Sequence, residues 1–253
     1  MPATIIAIAT HKGGTSKTVT AVSLSAGLAR SGKHTLLIDC DPQAHSSKAL
    51  NVEVTDNEPT LQELIADLRL PVTKVIKQTQ RENLSVIPST IRLERQAQAL
   101  YTRPKREELL RQVLSPISKQ YQYIVIDCPP SLGVLTEAAI TAANLIIVPC
   151  LMEARAADAL VDLLDLITAL RGKRFEAWRI LRTKFDSRKT VTNEAVMAAL
   201  RQWKSKMFKT TIPQSEPLNQ TQIMRTDIFS YAPSSKGAIA YQALTKEILR
   251  YGN

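Results

Sequence analysis

The sequence predicts an α/β fold: a doubly wound, mostly parallel sheet with helices on both faces. Three observations lead to it. Short, nearly continuous apolar runs recur along the 253 residues, stretches with helical spacing separate them, and no repeat, low-complexity tract or linker divides the chain. Strands buried on both faces read as apolar runs, and alternation with helices implies parallel pairing.

The elements follow in order. Residues 5–9 form the first expected strand, followed by His11-Lys12-Gly13-Gly14-Thr15-Ser16-Lys17-Thr18 and a helical pattern over 18–30, with Val22, Leu24, Leu28 and Ala29 near helical spacing. Thr35–Asp39 is the second strand and runs into Asp39-Cys40-Asp41-Pro42-Gln43. Leu84–Ile87 is the third, and Tyr123–Asp127 the fourth, leading into Cys128-Pro129-Pro130. Strands at 145–149, 178–183 and 208–212, a helix at 156–170 and a core-packed last helix over 238–251, with apolar positions Ile239, Leu244, Ile248 and Leu249, complete the set. In such sheets ligands bind beyond the carboxyl ends of the strands, so the chemistry is expected in the loops that follow these runs.

Composition narrows the class. No apolar run is long enough to span a bilayer, and the start of the chain has neither the basic front nor the cleavage site of a signal peptide. Cys40, Cys128 and Cys150 each end an apolar run, in a spacing that matches no zinc site. They are expected to be reduced, packed thiols of a cytosolic protein. The net charge of +10 is concentrated between Arg171 and Lys209, where the acids are only Glu176, Asp186 and Glu194. Arg225, Lys236, Lys246 and Arg250 extend it. From charge alone, a nucleic-acid surface and an ordinary solvated basic face fit equally well.

The glycine loop carries the chemistry. Where such a turn meets a helix, backbone N–H groups converge and the positive end of the helix dipole adds to them, which suits a phosphate chain. Lys17 can reach terminal phosphates and the Thr18 hydroxyl can hold Mg²⁺. Ser16 stands where the strict phosphate-loop pattern has glycine, and Lys12 is an additional lysine at the front. One acid at a strand end often only caps a helix. Acids at the ends of two strands beside a phosphate loop point instead to a Mg-nucleotide site, since the metal needs carboxylates around its waters.

With these residues in place, the chain resembles the deviant Walker family of P-loop ATPases, and within it the ParA-type partition proteins. The likeness rests on Lys12-Gly13-Gly14-Thr15-Ser16-Lys17-Thr18, Leu37-Ile38-Asp39-Cys40-Asp41-Pro42-Gln43 and Tyr123-Ile124-Val125-Ile126-Asp127-Cys128-Pro129-Pro130-Ser131. It resumes at Phe185-Asp186-Ser187-Arg188, Thr211-Ile212-Pro213-Gln214 and Ser234-Ser235-Lys236-Gly237-Ala238.

The resemblance implies a single ATPase domain over residues 1–253, without an N-terminal helix-turn-helix domain, that uses ATP and Mg²⁺. It places the nucleotide against residues 12–19, that is Lys12, Gly13, Gly14, Thr15, Ser16, Lys17, Thr18 and Val19, together with Asp127. Lys17 would hold the β- and γ-phosphates, and Thr18 would ligate the metal, with Asp39 and Asp127 orienting its waters. Asp41 would position the attacking water, and Lys12 would reach the partner's nucleotide across a dimer. Such roles suit phosphoryl transfer, which is catalysed by positioning and charge neutralisation. Pro213 and Ser215 align with adenine-end positions, although Gln214-Ser215 departs from the family's Arg-Asn. If φ at Ser16 is negative, its side chain sits at the closest approach to phosphate while the N–H remains, altering turnover without loss of binding.

The resemblance also implies an ATP-dependent homodimer that binds nucleoid DNA nonspecifically in the cytoplasm. A ParB-like or organelle adaptor would stimulate hydrolysis, and the cargo would be a plasmid, a chromosome origin or a protein organelle such as a carboxysome. Candidate DNA residues are Arg182, Lys184, Arg188, Lys189, Lys204, Lys206, Lys209, Arg225 and Lys236. A MinD-like membrane-switched ATPase is the alternative. It requires an amphipathic anchor beyond the last helix, where only Gly252 and Asn253 follow, so no membrane partner is expected. An iron–sulfur or ligase ATPase is a third class, for which Cys40 and Cys128 lie inside the acid motifs rather than in loops suited to a shared cluster.

Overall fold

The computed structural model describes residues 2–153 and 156–251; Gly252 and Asn253 lie outside the described residues. The chain runs β1 (Thr4–Ile8), α1 (Lys17–Arg30), β2 (Thr35–Asp39), α2 (His45–Ala49), α3 (Leu61–Ala66), β3 (Lys77–Gln78), β4 (Leu84–Ile87), α4 (Arg92–Leu100) and α5 (Leu109–Leu114). It continues β5 (Tyr123–Asp127), α6 (Val134–Ala142), β6 (Leu145–Leu151), α7 (Ala156–Arg171), β7 (Trp178–Phe185), α8 (Thr190–Ala199), β8 (Met207–Pro213), α9 (Glu216–Ile223), α10 (Ile228–Tyr231) and α11 (Lys236–Tyr251). One sheet holds the strands in the order β3-β4-β2-β5-β1-β6-β7-β8. Every pairing is parallel except β3 with β4.

Period-two alternation divides the strand residues between two cores. Ile6, Ile8, Leu37, Val125, Ile147 and Leu181 face α1, α10 and α11, meeting Leu24, Leu28, Phe229, Tyr241 and Leu244. Ala7, Leu36, Ile38, Ile124, Ile126 and Ile146 face the other way, toward Leu64, Leu110, Ala139 and Leu163 of α3, α5, α6 and α7. Helices therefore cover both faces, as the apolar runs require. All three cysteines lie in the second core as free, buried thiols, and burial raises the Cys150 thiol to about 11.

The differences from the sequence reading have physical causes. β3 has two polar residues and no apolar signature, and it exists only through antiparallel pairing with Val86 and Ser85. Cys150 lies inside β6 rather than after it, because pairing with β7 extends to Leu151. On α11 the buried stripe is Ala238, Tyr241, Leu244 and Ile248, whereas Ile239, expected in the core, is 58% exposed.

Helix α1 is buried along nearly its whole length, from Thr20 to Ala29. This blurs the one-sided periodicity that a surface helix shows. Gly27 sets its distance from α11: a Cβ there would run into Thr245 Oγ1 and lie 3.4 Å from a Phe229 ring carbon. Thr245 Oγ1 is already committed, donating to the Tyr241 carbonyl at 2.8 Å. Nearby, Thr20 Oγ1 and Tyr241 OH share a hydrogen bond of 3.0 Å. Glycine costs about 1 kcal/mol relative to alanine in a helix, and here the close approach of α11 requires it. Gly27→Val is expected to destabilise the fold by about 2 kcal/mol through overpacking. Combining it with Thr245→Ala should recover part of that loss in denaturant unfolding, the coupling expected of contacting residues.

Candidate functional site

The carboxyl ends of β1, β2 and β5 meet at one place. β5 pairs with both neighbours so that Asp127 is in register with Ile8 on one side and Asp39 on the other. Three motifs far apart in sequence thus converge: the glycine loop after β1, the acid-bearing loop after β2, and Asp127.

The loop reaches α1 through Gly14 at φ +71° and Ser16 at φ +73°. Ser16 is therefore left-handed, so the condition of negative φ attached to its side-chain placement is not met. The backbone must turn into α1 in a conformation that glycine adopts freely and serine only with strain. Ser16 gives no side-chain cap to α1, whose first turn carries no acid. The unpaired N–H groups and the dipole's positive end are left for an anion. Thr183 Oγ1 on β7 donates to the Thr15 carbonyl at 3.1 Å and anchors the loop from across the sheet.

Lys17 is 7% exposed and its ammonium donates to the Lys12 carbonyl at 3.2 Å. Burial lowers its proton affinity, opposed by the charge of Asp127. Beside it, the Thr18 hydroxyl donates to Asp127 Oδ2 at 2.8 Å, and the Ser46 hydroxyl to the same oxygen at 2.7 Å. Asp39 Oδ2 accepts from both the backbone N–H and the hydroxyl of Ser47, each at 2.7 Å. Asp39 Oδ1 accepts from the Asp41 N–H at 3.3 Å. Both carboxylates are fully buried. Burial, aided by Asp127, raises Asp39 to about 7. Asp127 rises to about 6 for the same first reason, with Ser46 and Thr18 acting against it. Asp41 is 8% exposed and its carboxylate accepts from the Gln43 N–H at 2.9 Å.

Among the described residues Asp127 Oδ1 is shielded from solvent and has no hydrogen-bond partner. An acceptor of this kind, next to a second buried carboxylate and a hydroxyl, forms a hard-oxygen donor set. Such a set fits Mg²⁺ bound through one hydroxyl and carboxylate-held waters. Among the described residues no cluster of three His, Cys, Asp or Glu is placed to hold a metal by itself, so a phosphate would have to complete the coordination.

The side chains of the other candidates make contacts of their own. Lys12 pairs with Glu153 at 2.8 Å, and that hydrogen bond lowers the Glu153 carboxyl. Val19 is half-buried in α1. Pro213 closes β8 and Ser215 precedes α9 at the same carboxyl edge of the sheet, where the Gln214 N–H donates to the Phe185 carbonyl. Of the basic residues, Arg188 forks onto Asp186, Lys206 pairs with Glu176 and Arg225 with Glu53. Arg182 is half-buried, its guanidinium donating to the Phe208 and Lys209 carbonyls. Lys184, Lys189, Lys204, Lys209 and Lys236 are exposed, with no ion pair among the described residues. Sequence reasoning missed Ser46, Ser47 and Thr183. The two serines follow the acid motif closely enough to have been found by asking what would satisfy a buried carboxylate; nothing in the sequence marks Thr183.

The AAA domain family (AAA_31) matches residues 3–185. The chain is similar to the sporulation initiation inhibitor protein Soj of Bacillus subtilis, at 36% identity over 251 residues, 98% of this chain and 99% of Soj. It is similar also to the chromosome partitioning protein ParA of Myxococcus xanthus, at 33% identity over 249 residues, 97% of this chain and 88% of that one. Among solved structures, cobyrinic acid a,c-diamide synthase from Mycobacterium smegmatis with bound ADP and magnesium superposes with a TM-score of 0.84. Its identity is 27%, over 98% of this chain and 95% of that chain.

The strained loop gives a direct test. Ser16→Gly is expected to raise stability, by up to about 1 kcal/mol, because relief of the left-handed strain outweighs the added unfolded-state freedom. Thermal unfolding without nucleotide measures this.

Proposed function

Because the chain belongs to the AAA domain family, as a P-loop homologue of the Soj and ParA partition ATPases, we propose that it is an ATP-dependent, dimerising ATPase. In this reading it works as one ATPase domain that binds nucleoid DNA nonspecifically in the cytoplasm and segregates or positions a cargo through an adaptor that stimulates hydrolysis. The carrying observation is the buried pair Asp39 and Asp127, tied by Thr18 to the phosphate loop and left with one unsatisfied oxygen.

The positions of these residues support the following roles. The first turn of α1 and the loop's N–H groups receive the phosphate chain, and Lys17, whose ammonium is held against the loop by the Lys12 carbonyl, neutralises its terminal groups. Thr18, Asp39 and Asp127 would hold Mg²⁺ directly or through waters; when bound, the metal draws negative charge from the phosphates. Asp41, held by the Gln43 N–H, is set beside this centre to orient the attacking water. Pro213 and Ser215 contact the adenine end.

Lys12 is proposed to act across the dimer. In the single chain it is held only by an exposed pair with Glu153, and exposed pairs contribute at most about 1 kcal/mol. A partner's phosphates, with more charge in a drier setting, can outcompete that carboxylate. Turnover then depends on dimer formation. The exposed lysines Lys184, Lys189, Lys204, Lys209 and Lys236 are the readiest DNA contacts, since no internal acid has to be given up. Arg188, Lys206 and Arg225 would first leave Asp186, Glu176 and Glu53, and Arg182 contributes less through its half-buried position.

Two measurements test the reading. Lys12→Ala is expected to abolish ATP-dependent dimers or their turnover, while Asp41→Ala binds ATP and DNA yet hydrolyses roughly 100-fold more slowly. Normal hydrolysis by the lysine variant rejects the trans role, and loss of nucleotide binding by the aspartate variant rejects water positioning. DNA retention should require ATP and weaken with salt, the log–log slope falling by about 0.9 for each phosphate-contacting lysine removed. A salt-insensitive complex rejects phosphate contact.

A further inference from the structure

A cavity of about 510 Å³ opens behind the acid-bearing loop, between Pro42–Ala44, α2 and the segment after β4. None of its lining residues belongs to the phosphate loop or to the adenine-end candidates. Its volume is in the range of a ligand site, and its wall combines Val52, Val54 and Ile91 with Lys48, Asn51 and Arg225.

Two features distinguish it from an incidental cleft. Its floor reaches the catalytic acids: Ser47 lines the cavity, its hydroxyl donates to Asp39 Oδ2 at 2.7 Å, and the Ser89 N–H donates to that hydroxyl at 3.4 Å. Beside it, Ser89 Oγ is buried with no partner among the described residues.

The rim identifies the occupant. Lys48 has no carboxylate partner among the described residues, its ammonium donating only to the Gln43 carbonyl at 2.9 Å. Arg225 and Glu53 pair with each other at 2.9 Å, so the rim carries one uncompensated positive charge. Beside it Ile91 is 64% exposed, an aliphatic side chain standing open at the edge of a polar-rimmed cavity. An occupant that covers Ile91 and meets Lys48 must be both aliphatic and anionic, and long enough to span rim and wall.

We propose that this cavity seats an acidic, aliphatic peptide segment of a partner protein and that its occupation changes hydrolysis by shifting Ser47 and the loop carrying Asp39 and Asp41. The binding claim stands on the cavity alone; the regulatory claim rests on the proposed ATPase function. An occupant pressing on Pro42 or Ser47 acts on groups one hydrogen bond from Asp39, so no long-range pathway is needed.

The test uses the full chain and two sets of short, fluorescein-labelled synthetic peptides. They share Leu and Ile positions but differ in carrying Asp and Glu or Lys and Arg. Anisotropy should find binders in the acidic set. Lys48→Glu and Ile91→Asp should each weaken them about tenfold or more, in the manner of a buried anchor, with melting temperature and binding of a fluorescent ATP analogue unchanged. Lys48→Glu should also gain affinity for the basic set. An acidic set without binders, binders indifferent to both variants, or wild-type preference for the basic set overturns the site. Binding is read without turnover, so a chain that fails to hydrolyse ATP sinks the ATPase reading and leaves this result standing. If peptide binds and ATP turnover of an active chain does not change several-fold, the regulatory claim is overturned.

Discussion

Two carboxylates buried side by side are the constraint around which this molecule is arranged. The register of β2 on β5 places Asp39 beside Asp127, both without solvent contact. Charged groups in such surroundings are expensive unless hydrogen-bonded or paired. The fold meets that cost with α2, a five-residue helix that contributes little to the core but presents Ser46 to one acid and Ser47 to the other. Thr18 adds a third hydroxyl from the start of α1. The compensation is incomplete, since both acids still hold protons more tightly than ordinary carboxylates. The remaining imbalance is electrostatic, and a cation is the group that removes it.

The same arrangement explains why strain and tension collect in the connecting loops. Ser16 enters α1 left-handed, and Ala44 enters α2 left-handed. Each turn delivers hydroxyl groups to the acids at a backbone geometry a glycine would adopt more cheaply. Thr183 secures the first loop from β7, so the glycine loop is fixed to the half of the sheet that carries the exposed lysines. The loop and that surface are therefore parts of one mechanical unit. Lys12 is held loosely, by an exposed carboxylate.

The sequence was most legible where chemistry and burial coincide. Strands such as Leu36-Leu37-Ile38 and Ile124-Val125-Ile126 could be read because both faces are buried, and their terminal acids because two acid-bearing strand ends accompany one glycine loop. β3 was illegible, since its polar Lys77 and Gln78 pair only because β4 presents an edge. Ile239 misled for the opposite reason: an apolar residue in an amphipathic helix falls outside the stripe by one position, and only tertiary contact decides. The sign of φ at Ser16 could not come from residue type, because serine argues against the conformation that the loop imposes. Ser46 and Ser47 were recoverable in principle, from the demand that buried acids be satisfied.

The strand order also constrains how the protein is made. β1 carries the phosphate loop at its end, yet it pairs only with β5 and β6. Neither of those segments is synthesised until more than a hundred residues later, roughly 6–25 s at ordinary elongation rates of 5–20 residues per second. During that interval the apolar stretch at Ile5–Ile8 leaves the ribosome without the neighbours that hide it, and the glycine loop has no fixed base. The glycine loop thus takes shape only after β5 and β6 have emerged, and a nascent chain stalled before Asp127 exposes an unpaired hydrophobic edge to chaperones and proteases.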